Sequence, residues 1–218
     1  MDNMKFDYGM IGLGTMGRNL VYNMCDHGFS VAGLDKDSSQ VQTFVQEAGD
    51  RKVAGTQSPG EFVQSLKVPR TIILLVPAGK IVDAVINELK PLLGNDDLLL
   101  DCGNSHYTDT NRRIEALTKD KIHFMGVGVS GGESGARYGP SIMTGGDKKV
   151  YERVAAMVEA VSAKVNKEPC VAWLGNGSAG HYVKMVHNGI EYALMQLIAE
   201  TYQLLKQAAG MNNDEIHA

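Results

Sequence analysis

The sequence predicts an α/β fold: a doubly wound, mostly parallel sheet followed by one long helix. Three observations predict it. Short apolar runs alternate with longer mixed segments along the first 175 residues. Those runs lack strict polar alternation, as strands covered on both faces should. A glycine-rich turn lies between the first run and the first mixed segment.

Taken in order, the predicted strands are Met10–Leu13, Val31–Leu34, Thr71–Val76, Leu98–Asp101 and Phe124–Val129, with Ile142–Thr144 and Val171–Leu174 as further strands. Between them Gly17–His27, Ser38–Ala48, Ile81–Leu93 and Asp109–Thr118 are long enough for crossover helices, and Lys149–Val165 for one more. The pattern changes at Gly175-Asn176-Gly177-Ser178-Ala179-Gly180, which reads as a linker with Ser178 available as an N-cap. From Tyr182 to about Ala209 one long helix is expected, closed by Gly210. The expected domains are therefore 1–177 and 178–218, the second only begun.

Bulk properties exclude several classes. The 218 residues carry a net charge of −4 and no basic block, which argues against nucleic acid as a partner. An anionic substrate would need a local cationic site. No stretch approaches the roughly 20 apolar residues of a membrane helix. The N-terminus lacks a basic region followed by an apolar run, so no secretory signal is expected and a cytoplasmic location is. Three scattered cysteines, Cys25, Cys102 and Cys170, fit reduced thiols. Without Cys-x-x-Cys or paired His/Cys ligands, no metal site is expected.

Gly12-Leu13-Gly14-Thr15-Met16-Gly17 matches G-x-G-x-x-G. Alone such a string is often a simple turn. Here it follows a predicted strand and opens a predicted helix, the context that makes it a pyrophosphate loop in a Rossmann-type domain. Gly12 would permit the tight turn, Gly14 the approach of a pyrophosphate, and Gly17 close packing of helix on strand. The helix N-terminus adds free N–H groups and partial positive charge. Asp35 follows Gly17 by 18 residues, about where an acidic residue meets the adenosine ribose. Lys36 and Asp37 come next. A carboxylate there favours the 2′-hydroxyl of NAD and a cation the 2′-phosphate of NADP, so charge leaves the choice between NADP and NAD open.

A second constellation lies on the long helix. Lys184, His187, Asn188 and Glu191 sit at i, i+3, i+4 and i+7, within one narrow stripe bordered by Tyr192. Most such stripes are solvated faces. This one combines amine, imidazole, amide and carboxylate just after a glycine-rich junction, and Gly189 interrupts it at a cost of ~1 kcal/mol relative to Ala. A lysine there becomes a general base if burial or positive charge lowers its pKa. Gly103-Asn104-Ser105 and Val129-Ser130-Gly131-Gly132-Glu133 each follow a predicted strand, where ligands of open α/β sheets collect. Ordinary turn chemistry explains Ser130-Gly131-Gly132 equally well.

These pieces together resemble the decarboxylating 6-phosphogluconate dehydrogenases, in their long form. The matching strings, in order, are Asn19-Leu20, Asp26-His27-Gly28-Phe29, Gly103-Asn104-Ser105, Val129–Gly132, Gly135-Ala136-Arg137-Tyr138-Gly139-Pro140-Ser141 and Gly180–Tyr192. They span essentially the whole chain, and the last two are highly specific.

The resemblance implies oxidative decarboxylation of 6-phosphogluconate to ribulose 5-phosphate and CO2 with reduction of NADP or NAD. It makes Lys184 the base for the 3-hydroxyl and Glu191 the acid that protonates C1. It gives Asn104, Ser130, Gly131, Gly132, His187 and Asn188 to the sugar acid and Tyr192 to its phosphate. Val76, Pro77, Ala78 and Asn104 would border the cofactor, beside Gly12–Gly17 and Asp35–Asp37. It further implies a homodimer for the full-length protein. Asp35-Lys36-Asp37 departs from the Asn-Arg-Thr or Asn-Arg-Ser of NADP-using members, and Thr144 replaces a usual Pro. The family's large helical domain, with its later phosphate-binding cations, is expected to follow Ala218, so the 218 residues alone are expected to turn over poorly or not at all. Two alternatives remain open: a related 3-hydroxyacid dehydrogenase, disfavoured by Gly135–Ser141 and Glu191, and a dinucleotide-binding module without catalysis.

Overall fold

A computed structural model describes residues 5–217. The strands are β1 (Tyr8–Ile11), β2 (Val31–Leu34), β3 (Val53–Thr56), β4 (Thr71–Leu74), β5 (Leu98–Asp101), β6 (His123–Ser130), β7 (Ser141–Thr144), β8 (Lys164–Val165), β9 (Glu168–Pro169) and β10 (Val171–Trp173). The helices are α1 (Thr15–Asp26), α2 (Ser38–Gln46), α3 (Pro59–Gln64), α4 (Lys80–Leu89), α5 (Tyr107–Thr118), α6 (Gly132–Tyr138), α7 (Lys148–Glu152), α8 (Ala155–Val161), α9 (Ala179–Gln203) and α10 (Asn213–His217). The first compact unit runs to Lys184 and the second begins at Met185.

Eight strands of the first unit form one sheet in the order β10-β7-β6-β5-β4-β1-β2-β3. The pairs from β3 to β6 are all parallel; β7 turns antiparallel to β6, and β10 follows β7. The doubly wound expectation holds. Strand period explains why. Met10, Ile73, Leu100, Met125 and Val127 point into a core shared with α1, α2 and α8. Their neighbours Ile11, Ile72, Leu74, Leu99 and Phe124 point into a second core shared with α3, α4 and α5. A run buried on both faces must be continuously apolar. The strand order reverses between β1 and β4, so their carboxyl ends open a crevice.

Several boundaries differ from the sequence expectation. The first strand ends at Ile11, because Leu13 is fully buried from the loop rather than from the strand. The fourth ends at Leu74 and leaves Leu75 and Val76 to the following loop. The expected helix Lys149–Val165 is two helices, α7 and α8, joined through buried Val154, whose φ of −114° breaks the first. Its last residues instead enter the hairpin β8–β9, turned by Asn166 and Lys167 at φ 51° and 71°. The long helix opens at Ala179, three residues early, and Ser178 accepts the first backbone bond from Tyr182.

The second unit holds the rest of α9, a π-helical turn at Leu204–Ala208, and α10. Gly210, at φ 69°, ends the helical run where expected.

Candidate active site

Five loops at the carboxyl ends of β1, β2, β4, β5 and β6 carry the predicted ligand residues of the first unit. In the first, Gly12 takes φ 95°, and a Cβ there would fall 2.4 Å from the Leu75 carbonyl oxygen. At Gly17 a Cβ would fall 1.9 Å from the Gly12 oxygen, which closes the turn to every larger residue. Gly14 has nothing within 4 Å of that position, so its backbone lies open to a ligand. Helix α1 starts there without a side-chain cap and without an acidic residue in its first turn. Its first N–H groups therefore remain available to an anion. Arg18 braces the loop by donating to the Leu13 carbonyl (2.9 Å) and to Gln40 (2.5 Å).

Asp35 reaches back to this loop. One carboxylate oxygen accepts from the Leu13 N–H at 2.7 Å and the other from the Asp37 N–H at 2.9 Å. Asp37 is the N-cap of α2, its carboxylate accepting from Ser39 at 2.8 Å. The Ser39 side chain first, and its backbone N–H second, hold the Asp37 carboxyl below the usual carboxylate range. Lys36 pairs with Glu88 at 3.2 Å. These three residues, with Gly12, Gly14, Val76 and Pro77, border a cavity of about 700 Å³.

The opposite wall carries no sequence motif. It comes from Lys80, Ile81, Ala84 and Glu88 of α4, with Gln40 and Gln57 nearby. A signal existed: Ile81, Ala84 and Glu88 recur at helical spacing beside the buried stripe of Val82, Val85 and Leu89, and Val85 and Leu89 line the same cavity. Exposed Ile81 is an apolar side chain outside the core period.

Asn104 and Ala78 are exposed on their loops, and Ser130 is half-buried at the end of β6. Gly131, at φ 130°, caps α6, so Gly132 and Glu133 open a helix at a string that reads equally as a ligand loop or a simple turn. Asn19 of α1 donates to Glu133 at 3.4 Å. Among the described residues no cluster of three or more His, Cys, Asp or Glu side chains could hold a metal ion.

Lys184 is 8% exposed despite its charge. Glycines make its place. A Cβ on Gly128 would lie 2.5 Å from the Lys184 Cβ, and one on Gly180 would lie 2.4 Å from the carbonyl oxygens of Gly126 and Met143. The opening of α9 thus rests directly on strand backbone. His181 is anchored from both ring nitrogens: Nε2 donates to the Asp101 carbonyl at 2.9 Å, and Nδ1 accepts from Thr110 at 2.6 Å. Burial holds this imidazole below its ordinary pKa, against the opposing pull of Asp101. His181 belongs to the Gly180–Tyr192 string, but its anchoring role shows only in the fold.

In the second unit, half-buried His187 lies 3.5 Å from Glu191 and 3.4 Å from Asn188; Glu191 and Tyr192 are exposed.

A glycine loop opening a helix at the switch point of a doubly wound sheet defines the class: a dinucleotide-binding domain of Rossmann type. Residues 7–175 match the model of the NAD binding domain of 6-phosphogluconate dehydrogenase, and residues 180–218 that of the enzyme's C-terminal domain. The chain belongs to the 6-phosphogluconate dehydrogenase family. It is 54% identical over 213 residues to the NADP(+)-dependent decarboxylating enzyme of Bacillus subtilis (strain 168), covering 98% of this chain and 45% of that one. It is 51% identical over 212 residues to the decarboxylating enzyme of Homo sapiens, covering 96% and 44%. The chain thus spans about half the length of these relatives. Among solved structures, Plasmodium falciparum 6-phosphogluconate dehydrogenase, studied in its apo form and with NADP+ or 6-phosphogluconate, superposes with a TM-score of 0.91 at 40% identity, covering 96% of this chain and 45% of that one. Mycobacterium tuberculosis 3-hydroxyisobutyrate dehydrogenase shares the fold (TM-score 0.81, 23% identity, 96% and 68% covered).

Proposed function

We propose that this chain provides the dinucleotide site and the catalytic helix of a decarboxylating 6-phosphogluconate dehydrogenase. The observation that carries the reading is Lys184: a lysine buried by glycines of β6 and α9, in the same compact unit as an open glycine loop. On this reading residues 1–177 form the dinucleotide domain and 178–218 open the helical one. The protein works in the cytoplasm as a homodimer.

The residues fit a dinucleotide. Gly14 and the first amides of α1 suit the pyrophosphate, Asp35 the ribose, and the cavity beside α4 the adenosine half. Val76, Pro77, Ala78 and Asn104 lead toward the reacting end. When bound, NADP or NAD supplies the hydride acceptor for oxidation at C3 of the substrate.

Lys184 takes the proton of the 3-hydroxyl as that carbon is oxidised. It then holds the proton against the new ketone oxygen, which accepts the electrons left when CO2 departs. Glu191 delivers a proton to C1 of the enediol, giving ribulose 5-phosphate. Ser130, Gly131, Gly132, Asn104, His187 and Asn188 orient the polyol, and Tyr192 meets the phosphate.

Two substitutions in the full-length protein test this. Lys184→Met should abolish both oxidation and CO2 release. Glu191→Gln should slow turnover while leaving the dinucleotide Kd unchanged. A Lys184→Met enzyme retaining most of its rate would return the helix stripe to an ordinary solvated face.

A further inference from the structure

We infer that Arg113 is a positioning residue, setting the cofactor-side loop after β4 and the substrate-side loop after β5 at one fixed separation. The inference rests on the functional reading above, which assigns Val76–Ala78 to the cofactor and Asn104 to both ligands.

Arg113 stands on α5 and is 2% exposed. Its guanidinium reaches both loops. Nη2 donates to the Gly79 carbonyl at 3.0 Å, and Nε to Asp83 in the first turn of α4 at 2.8 Å. Nη1 donates to Ser105 at 3.0 Å and to Asp101 at 3.4 Å. On the far side, Ser105 donates to the same Asp101 carboxylate at 2.6 Å, and the Gly103 N–H donates to its other oxygen at 3.1 Å. Asn104 is therefore flanked by two residues tied to one carboxylate, and that carboxylate is tied to Arg113.

A buried ion pair is a poor device for stability alone, since apolar residues of equal volume serve as well or better. A planar fork of five N–H donors is a good device for direction. Here it spans a carboxylate on β5, a hydroxyl on the Asn104 loop, and a carbonyl and carboxylate at the start of α4. One helical turn earlier on the same face, Thr110 anchors His181 of α9. A single face of α5 thus sets the cofactor loop, the substrate loop and the entry of the helix that carries Lys184.

The opposite end of the sheet offers a control. Arg70 donates to Asp97 at 2.9 Å and to the Val63 carbonyl at 2.9 Å, just before β4 and β5 begin. It is a comparable arginine–aspartate tie with no loop of the site attached.

The test uses the full-length protein, with Arg113→Gln, Arg113→Lys, Ser105→Ala and Arg70→Gln. Kinetics with 6-phosphogluconate and its C3-deuterated form are combined with amide hydrogen exchange. Arg113→Gln should lower kcat by on the order of 10²-fold, raise the isotope effect on kcat, and change KM little. Arg113→Lys should recover thermal stability but not kcat, because an ammonium cannot span both loops. Ser105→Ala, the mildest change, should lower kcat a few-fold with the same rise in isotope effect, and covers the case in which Arg113→Gln fails to fold. Exchange should quicken in residues 76–80 and 102–105 together in the Arg113 variants, and in neither segment in Arg70→Gln. Arg70→Gln should lower Tm alone. Wild-type kcat and isotope effect in Arg113→Gln or Ser105→Ala, or faster exchange in one loop only, would overturn the inference. A wild type that does not oxidise 6-phosphogluconate would sink the functional reading instead, leaving exchange to decide whether the loops are coupled.

Discussion

The Cβ of Lys184 lies 2.5 Å from where a Cβ on Gly128 would stand. The lysine is seated on a strand position that has room for no side chain at all. Gly128→Ala should therefore push the opening of α9 away from β6, costing about 1–3 kcal/mol of stability by overpacking. The effect on turnover should be larger, on the order of 10²-fold in kcat, since small misplacements of a catalytic group are expensive. Steady-state kinetics beside a urea titration separate the two; equal losses in both would mean that the contact is only packing.

The Lys36–Glu88 pair bears on cofactor choice. With Glu88 holding Lys36, and with Asp35 alongside, the cavity should tolerate NAD better than an ordinary NADP-using relative does. Glu88→Gln releases the lysine toward a 2′-phosphate. An exposed pair is worth at most ~1 kcal/mol, so kcat/KM for NADP relative to NAD should rise about fivefold. An unchanged ratio would mean that Lys36 does not reach the phosphate, and a thousandfold NADP preference in the wild type would remove Asp35 from the ribose.

Stability should fall in mild acid because of His181. Burial depresses its folded pKa below the ordinary 6.5, so the unfolded chain takes up the proton first. The stabilisation is complete above pH 6.5 and declines as the pH drops from there through the depressed value. Asp26 and Asp83, each held below 3.8 by an arginine, give up their share only at lower pH. Tm measured from about pH 7 to pH 5 should fall in the wild type, and the slope should flatten in His181→Gln. Parallel slopes would assign the effect elsewhere.

Asn23 offers a test of the fold alone. Its buried amide donates to the carbonyls of Ala136 (3.1 Å) and Val161 (2.9 Å), joining α1 to the ends of α6 and α8. Asn23→Ala strands both acceptors and should cost about 2 kcal/mol, read from denaturant midpoints. A loss under half of that would show that water replaces the amide.

The parts legible in the sequence are those where one physical demand acts alone. Val31–Leu34 and Leu98–Asp101 are legible to the residue, because four consecutive positions are buried on both faces. Strand β3 is silent in the sequence: its Val-Ala-Gly-Thr run is half-exposed and carries almost no apolar signal. Helix α6 hid behind glycines that read as a turn. The glycine loop and the stripe from Lys184 to Glu191 were visible as spacings. Arg113 was not, since a charged residue in a polar helix reads as solvent-facing until the fold wraps Asp83, Asp101 and Ser105 around it. The position of Asp35 points to the ribose, but its bond to the Leu13 amide needs three dimensions.

That bond has a kinetic meaning. Both Asp35 oxygens already hold backbone amides, one from the glycine loop and one from the entry to α2. The conformational entropy of shaping the loop is lost when the chain folds, not when a ligand arrives. Dinucleotide capture should then be a single encounter: an observed rate linear in concentration, with no slower isomerisation behind it. Releasing the clamp with Asp35→Ala should turn that line into a curve, as the loop begins to search for its shape in the presence of its guest.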